Sequence, residues 1–256
     1  MTPEFERLFS RYISILSHQQ FDEREIDYSH LEKHLGFLRQ LALVENSSVA
    51  VMDLFRRNYA FIQSRFLPVI GLELDALMKQ GPRAVFEIMH PQDLPSVLET
   101  LQRGNEFLLG LPAAEKKEYK IIYDFRLRSA KGPYVRFIQQ LLPLELDARG
   151  NIWLMLMLND IVPDRGEDAK PQRKVMNIRT SREYVFTEEE SGTGMLTKRE
   201  IEILGMLSKG MASKQVADEL FLSVNTVNNH RRNILEKTNT ENTAEAVRFA
   251  ISMGLV

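Results

Sequence analysis

The C-terminal quarter of the chain contains, at residues 196–237, the stretch LTKREIEILGMLSKGMASKQVADELFLSVNTVNNHRRNILEK. Its apolar residues recur at the three- and four-residue spacing of helices, in short runs separated by polar residues. Gly210 suits the left-handed end of a first helix, and Ser213 and Ser223 are the predicted N-caps of a second and a third. Two short helices joined by a tight turn form a helix-turn-helix, so the stretch predicts this motif.

The third helix, expected from Ser223 to Lys237, has one apolar and one polar side. On a helical wheel Val227 and Ile234 fall together, so this side should face the core. The opposite side and its shoulder carry three amides and one guanidinium: Asn225, Asn228, Asn229 and Arg232. Asn can bond adenine through two hydrogen bonds in the major groove, and Arg can do the same with guanine. These four residues are therefore the predicted base-reading set.

Six residues at the start and margins of this helix are predicted to contact DNA phosphates. Their cationic groups and hydroxyls suit a phosphate, and backbone N–H groups point outward at a helix start. The six are Lys214, Ser223, Thr226, His230, Arg231 and Lys237. For His230 we favour a half-buried histidine that packs and bonds locally over a pH-sensitive phosphate contact.

The whole stretch resembles the LuxR-type helix-turn-helix, also called the FixJ or NarL type. The matching residues are Leu196-Thr197-x-Arg199-Glu200, Lys214-Gln215-Val216-Ala217, the third-helix string from Ser223 to Ile234, and Thr243-Ala244-Glu245-Ala246-Val247. The resemblance implies that the third helix enters the major groove of double-stranded DNA and that a fourth, Thr243 to Met253, contributes to dimerisation. It also implies base contacts at the positions of Asn228, Asn229 and Arg232.

The sequence departs from this family at three positions. Lysine is common at the positions of Asn225 and Asn228, and leucine at that of Thr238. Fewer cations predict weaker nonspecific binding and a shallower salt dependence, because each phosphate contact contributes about -0.9 to the slope. Tight binding is then expected to need a dimer.

Composition restricts the remaining classes of protein. The chain has 256 residues, of which 44% are hydrophobic, and this length favours two domains. Its net charge of -2 neither supports nor refutes DNA binding, since a local basic surface is sufficient. The absence of cysteine excludes disulfides, thiolate zinc sites, iron–sulfur clusters and cysteine nucleophiles. Without a signal peptide or a long apolar stretch, we expect a cytoplasmic protein with no membrane partner.

Residues 1–45 read as two helices, with apolar residues at helical spacing between Pro3 and about Val44. Such an arm can pair with a second copy of itself or fold back on its own domain. We slightly favour pairing between two copies over folding back. His30 and His34 have the spacing of two metal ligands on a helix, but without a third ligand a solvated helix face is the better interpretation.

Between Ser47 and Ile161 the pattern indicates strands around a helical zone. In Tyr119 to Arg128 the odd positions are apolar and most even positions are polar, so one face should be buried and the other hydrated. Short turns then lead into two further strands, which must therefore be antiparallel. Met155 and Met157, in the last strand, are interpreted as core residues rather than the wall of a pocket.

This order of two strands, a helical zone and three longer strands resembles a PAS domain. The supporting residues are Ser48 to Arg65, His90-Pro91-Gln92-Asp93-Leu94 and Lys131-Gly132-Pro133-Tyr134-Val135. PAS domains bind small molecules or cofactors between helices and sheet, or they dimerise. We predict no cofactor: the light-sensing flavin subclass needs a cysteine, and the zone 72–89 has no histidine for haem. His90 is expected to hold its turn together.

The predicted fold class is α+β, with N-terminal helices, a PAS-like five-stranded antiparallel sheet with helices, and a separate all-α four-helix helix-turn-helix domain. The expected domains are a helical segment at 1–45, a PAS-like sensor at 46–162, a solvated linker at 163–193 and a LuxR-type domain at 194–256.

The predicted function is a homodimeric, sequence-specific transcription regulator and not an enzyme. A small-molecule effector in the PAS pocket and RNA polymerase are partners compatible with this prediction. The alternatives are a PAS-based cofactor or redox sensor, a sigma-like promoter reader, and an interaction module that has lost DNA binding. The fourth helix and a missing polymerase-binding region argue against the sigma-like alternative, and the missing lysines are consistent with the interaction module.

Overall fold

The computed structural model of the protein describes residues 3–16, 19–44, 47–166, 169, 171–185, 196, 198–238, 240–252 and 255–256. The α-helices are α1 (Pro3–Leu16), α2 (Ser29–Val44), α3 (Leu67–Ile70), α4 (Leu74–Gln80), α5 (Arg83–Glu87), α6 (Leu94–Gly110), α7 (Ala113–Lys116), α8 (Lys198–Ser208), α9 (Ser213–Glu219), α10 (Val224–Thr238) and α11 (Thr243–Ser252). The strands are β1 (Ser48–Asp53), β2 (Asn58–Gln63), β3 (Tyr119–Arg128), β4 (Tyr134–Leu146), β5 (Ile152–Ile161), β6 (Arg173–Asn177) and β7 (Glu183–Val185).

The described strands form one antiparallel sheet in the order β2-β1-β5-β4-β3-β6-β7. This confirms the α+β class and the PAS-like succession of two strands, helices and three longer strands. The tight turn before β5 is also as predicted, since Gly150 has a φ of +81° and Asp147 accepts hydrogen bonds from the backbone of Arg149 and Asn151.

The sheet has seven strands among the described residues, and the prediction of five was wrong. Both additional strands, β6 and β7, lie in the interval predicted as a solvated linker. The backbone of β6 pairs with β3, where Val175 lies opposite Ile121 and is only 1% exposed. Pairing covers the edge of β3, whose backbone groups would otherwise stay unpaired. The acidic stretch 188–190 predicted as part of the linker lies outside the described residues.

The polar face of β3 is only partly hydrated, whereas the sequence predicted a hydrated face. Asp124 and Arg126 are buried, because each meets an opposite charge. Arg126 binds Asp93 through two side-chain hydrogen bonds, of 2.6 and 2.9 Å, and Arg136 donates to Asp124 at 3.0 Å. A buried charge is tolerated when it is paired and hydrogen-bonded. The first pair fastens the turn before α6 to the sheet, and the second links β3 to β4.

The N-terminal helices fold back onto their own sheet, which was the less favoured of the two alternatives. Helix α1 contributes Phe5, Tyr12 and Leu16 to the core on one face of the sheet. Helix α2 covers the other face with Leu31 and Leu38, which pack in a cluster with strand residues such as Trp153. The arm and the sheet therefore share their cores, and pairing between chains remains a prediction.

His34 takes part in the docking of α2, contrary to the predicted solvated face. Its Nε2 lies 2.7 Å from Oε1 of Glu145 on β4, while Lys117 donates to the other carboxylate oxygen at 2.8 Å. Burial raises the pKa of Glu145, but the hydrogen bonds from Lys117 and His34 outweigh burial and bring it below its ordinary value. Among the residues with described structure, no three metal-binding side chains lie together.

The four C-terminal helices α8–α11 enclose a second core, whose fully buried members include Leu204, Val216, Val227 and Ile234. Helix α8 is followed by Gly210 at a φ of +84°, as predicted. No helix in the described ranges combines the length and apolarity that crossing a bilayer needs.

Candidate nucleic-acid interface and sensor cavity

Helix α10 presents the polar side that the wheel predicted. Val227 and Ile234 are 0% and 1% exposed and hold the helix on the domain core. The four predicted base-reading residues all lie on the exposed surface: Asn225, Asn228, Asn229 and Arg232. The surface therefore offers amide donors and acceptors and one guanidinium on a single helix, which is the chemistry that reads base edges in a major groove.

The start of α10 is capped by Ser223, as predicted. Its Oγ accepts the backbone N–H of Thr226 at 3.0 Å and lies 2.8 Å from the Thr226 hydroxyl. Ser223 is exposed, so its hydroxyl lies beside the outward-pointing N–H groups of the first helical turn. Both hydroxyls stay predicted phosphate ligands.

Ser213 does not cap α9, so that prediction was wrong. The residue before the helix is Ala212, whose backbone N–H donates to Oε1 of Gln215 at 2.8 Å. The Ser213 hydroxyl instead accepts a hydrogen bond from Nη1 of Arg231 at 2.6 Å. A tertiary contact thus replaces the local one.

Arg231 and Lys237, predicted to contact phosphates, are engaged inside the domain. Arg231 is half-buried, and its Nη2 donates to Thr243 on α11 at 2.7 Å in addition to the Nη1 contact with α9. Nζ of Lys237 donates to the buried carboxylate of Glu200 on α8 at 2.9 Å. Both cations are therefore positioned by neighbouring helices.

The two remaining predicted phosphate residues differ in exposure. Lys214 is exposed near the start of α9, and His230 is half-buried on α10, in keeping with the local packing that the sequence favoured. Thr238, expected as a lost apolar contact, is 0% exposed and donates its hydroxyl to the carbonyl of Ile234 at 2.7 Å. The buried hydroxyl is therefore satisfied.

Residues 194–250 match the family described as bacterial regulatory proteins, luxR family (GerE). This part of the chain is a LuxR-type helix-turn-helix domain. The oxygen regulatory protein NreC of Staphylococcus carnosus is 31% identical over 100 residues, which are 39% of this chain and 38% of NreC. The uncharacterized response regulatory protein YgeK of Escherichia coli K12 is 29% identical over 148 residues, or 54% of this chain and 92% of YgeK. The chain thus spans little more than a third of the length of the S. carnosus relative.

Similar solved structures accompany the LuxR-type match. The match to the phage VqmA–DPO complex covers 86% of this chain and 88% of the VqmA chain. Over this match the sequence identity is 17% and the TM-score is 0.31. The match to the PAS-B domain of Drosophila melanogaster Cycle covers 45% of this chain and 99% of the PAS-B chain. Here the sequence identity is 14% and the TM-score is 0.34.

The LuxR-type domain touches the sheet domain through aromatic rings. Phe249 of α11 stacks on Tyr184 of β7 at a centroid distance of 5.6 Å and an interplanar angle of 12°. It also lies 6.1 Å from the ring of Phe107 on α6. Beside the rings, Arg182 donates to Glu241 at 2.6 Å. Burial raises the pKa of Tyr184 to about 12, so its ring is neutral at physiological pH.

A cavity lies between the sheet and helices α1, α5 and α6. One lobe has a volume of about 50 Å³ and an adjoining lobe about 70 Å³. Residues that line it include Tyr12, Tyr59, Tyr123, Gln139, Met155 and Met157. The two methionines border this cavity and also pack in the core, which is the interpretation that the sequence favoured.

The cavity residues were missed because each has an ordinary explanation in the sequence. Tyr12 reads as part of a helical stripe and Tyr123 as one of several apolar strand positions. Gln139 is the one residue whose sequence position could have indicated a cavity, because an amide in a predicted buried strand needs a hydrogen-bond partner. Here Gln139 accepts a hydrogen bond from the Tyr123 hydroxyl and donates to Asn159 at 2.7 Å.

His90 holds its turn together, as predicted. Its Nδ1 accepts the backbone N–H of Gln92 at 3.3 Å, and its ring packs on Tyr134 at 4.4 Å. The following Asp93 is 1% exposed and paired with Arg126. The His-Pro-x-Asp sequence therefore serves to anchor the start of α6.

Proposed function

We propose that the protein is a sequence-specific DNA-binding transcription regulator. In this proposal α10 lies in the major groove, and Asn225, Asn228, Asn229 and Arg232 read bases. The proposed phosphate contacts come from α9 and from the N-terminal end and flanks of α10: Lys214, Ser223, Thr226, His230, Arg231 and Lys237. The observation that carries the proposal is the exposed amide and guanidinium face of α10 within a LuxR-type domain.

We propose further that the regulator acts as a homodimer on a two-fold-related DNA site. A single α10 contacts few base pairs, and a symmetric pair of readers doubles the recognised sequence. The carboxylate of Glu200, which is paired with Nζ of Lys237, offsets part of the positive charge that this lysine presents to DNA. A dimer compensates for the low charge of each copy, because phosphate contacts from both copies add.

The PAS-like domain is proposed as the sensor that controls the dimer. Support comes from its cavity and from a continuous line of contacts to the LuxR-type domain. Helix α1 packs on α6, and Phe107 of α6 touches Phe249 of α11. A ligand or partner that binds one arrangement of these helices more tightly than another would shift the population of DNA-competent molecules.

Selection of genomic DNA with the purified full-length protein, at several salt concentrations, tests the DNA proposal. We expect enrichment of a two-fold-related sequence. Asn229→Ala and Arg232→Ala should each weaken binding to it by about 1–3 kcal/mol and relax the preference at one base position. Lys209→Ala, an exposed change outside the proposed interface, is the control. Unchanged affinity and sequence preference in both α10 variants would refute the role of α10.

A protein-interaction module that has lost DNA binding is the second candidate. The internal contacts of Arg231 and Lys237 favour it, since they occupy two of the cations expected at phosphates. The same selection distinguishes the candidates: an interaction module enriches no sequence at any salt concentration.

A further inference from the structure

We propose that the cavity of the sheet domain binds an uncharged organic molecule that accepts hydrogen bonds, and that α1 forms part of this site. The inference deepens the sensor role and rests on that part of the proposed function. It is carried by two hydroxyls that line the cavity and by the position of the helix that supplies one of them.

The hydroxyls of Tyr12 and Tyr59 lack partners in the structure. Both residues line the cavity and are 8% and 9% exposed. Within the described part of the chain neither hydroxyl makes a hydrogen bond, whereas the nearby Tyr123 hydroxyl donates to Gln139. Both hydroxyls are reachable from the cavity, so a molecule that enters it and accepts from them gains hydrogen bonds of about 1 kcal/mol each.

The lining of the cavity determines the charge of its ligand. No Asp, Glu, Lys, Arg or His is found among the described residues that line either lobe. A charged ligand would therefore be buried without a counter-charge, at a large cost. A hydrocarbon would fit the apolar walls but leave both tyrosine hydroxyls unsatisfied. An uncharged molecule with a carbonyl, ether or ring-nitrogen acceptor meets both conditions.

Helix α1 closes the cavity, although it precedes the sheet domain in the chain. Tyr12 and Leu16 of α1 both line the cavity. The rings of Phe9 and Tyr12 each lie 5.8 Å from Phe86 on α5, which forms part of the opposite wall. A ligand that accepts a hydrogen bond from Tyr12 must therefore stabilise the docked position of α1.

Three probes of similar size test the ligand class by isothermal titration of the full chain. Acetophenone is uncharged and carries a carbonyl acceptor, ethylbenzene lacks the acceptor, and benzoate is anionic. We expect acetophenone to bind at least about fivefold more tightly than ethylbenzene, the factor for one hydrogen bond of about 1 kcal/mol. Benzoate should bind most weakly. Equal or tighter binding of benzoate, or no binding of acetophenone, would overturn the inference.

Two variants test the residues. Tyr12→Phe and Tyr59→Phe keep the rings and remove the hydroxyls, and each should weaken acetophenone binding by about fivefold without changing ethylbenzene binding. Tyr134→Phe makes the same chemical change on an exposed ring outside the cavity and is the control. If Tyr12→Phe binds acetophenone as tightly as Tyr134→Phe, α1 is not part of the site.

Hydrogen exchange supplies a second measurement that does not depend on the variants folding equally well. Acetophenone should slow amide exchange in α1, and unchanged exchange there would contradict closure by α1. These measurements contain no DNA. Acetophenone binding that depends on the tyrosines, together with failed DNA selection, therefore refutes the proposed regulator but not the binding site. Successful DNA selection without acetophenone binding refutes the binding site but not the regulator.

Discussion

Arg231 lies between α9 and α11, with its guanidinium bonded to Ser213 and Thr243. Its Nε is buried and has no partner among the described residues. The helical wheel placed it at the margin of the DNA-facing side but could not say which neighbour its long side chain would reach. At this scale the sequence predicts the exposed amides well, because short side chains stay where the helix puts them.

Replacing Arg231 with Ala should lower the free energy of unfolding by about 2 kcal/mol, because two charge-assisted hydrogen bonds between helices are lost. Denaturant titration of the full chain measures this, with the exposed Lys209→Ala as the control. If the variant is as stable as the control but binds DNA less tightly, Arg231 acts on phosphate and not on the fold.

At the scale of elements, a serine stands at the start of both α9 and α10, yet only Ser223 caps its helix. The Ser213 hydroxyl accepts a hydrogen bond from Arg231, a residue 18 positions away. The side chain of Gln215 instead accepts the backbone N–H of Ala212, the residue before the helix. Cap signals are local, so they predict a helix start correctly only where no distant side chain competes.

Ser223→Ala should lower the free energy of unfolding by about 1 kcal/mol through loss of the cap, whereas Ser223→Asp should retain stability because Asp also caps. DNA titrations on the same proteins separate the two proposed roles of Ser223. If its hydroxyl meets a phosphate, the Asp variant binds DNA more weakly through charge repulsion while remaining folded. Wild-type stability of the Ala variant would contradict the capping contact.

At the scale of the whole molecule, the sheet domain and the LuxR-type domain are joined by a small aromatic cluster. Phe249, Tyr184 and Phe107 meet there, and Tyr184 comes from the interval that the sequence predicted as a linker. Contacts of this size permit relative domain motion, which a sensor needs if it is to control a reader.

Phe249→Ala should uncouple the domains, since Phe249 provides the α11 ring of the contact. The rotational correlation times of the two domains, measured by ¹⁵N relaxation, should fall and diverge. Phe37→Ala, which removes a ring 64% exposed on α2, is the matched control. A single common correlation time in the Phe249 variant would show that the aromatic contact does not hold the domains together.

The sequence by itself determined the LuxR-type helices, the exposed face of α10 and the PAS-like succession of strands. These features follow from the spacing of apolar residues, which records the side of each element that is buried. Only the tertiary structure decided that β6 and β7 extend the sheet, that α1 enters the cavity and that Arg231 and Lys237 bond within their domain. Strand pairing uses backbone groups common to all residues, and long side chains reach partners distant in the chain, so neither leaves a local pattern.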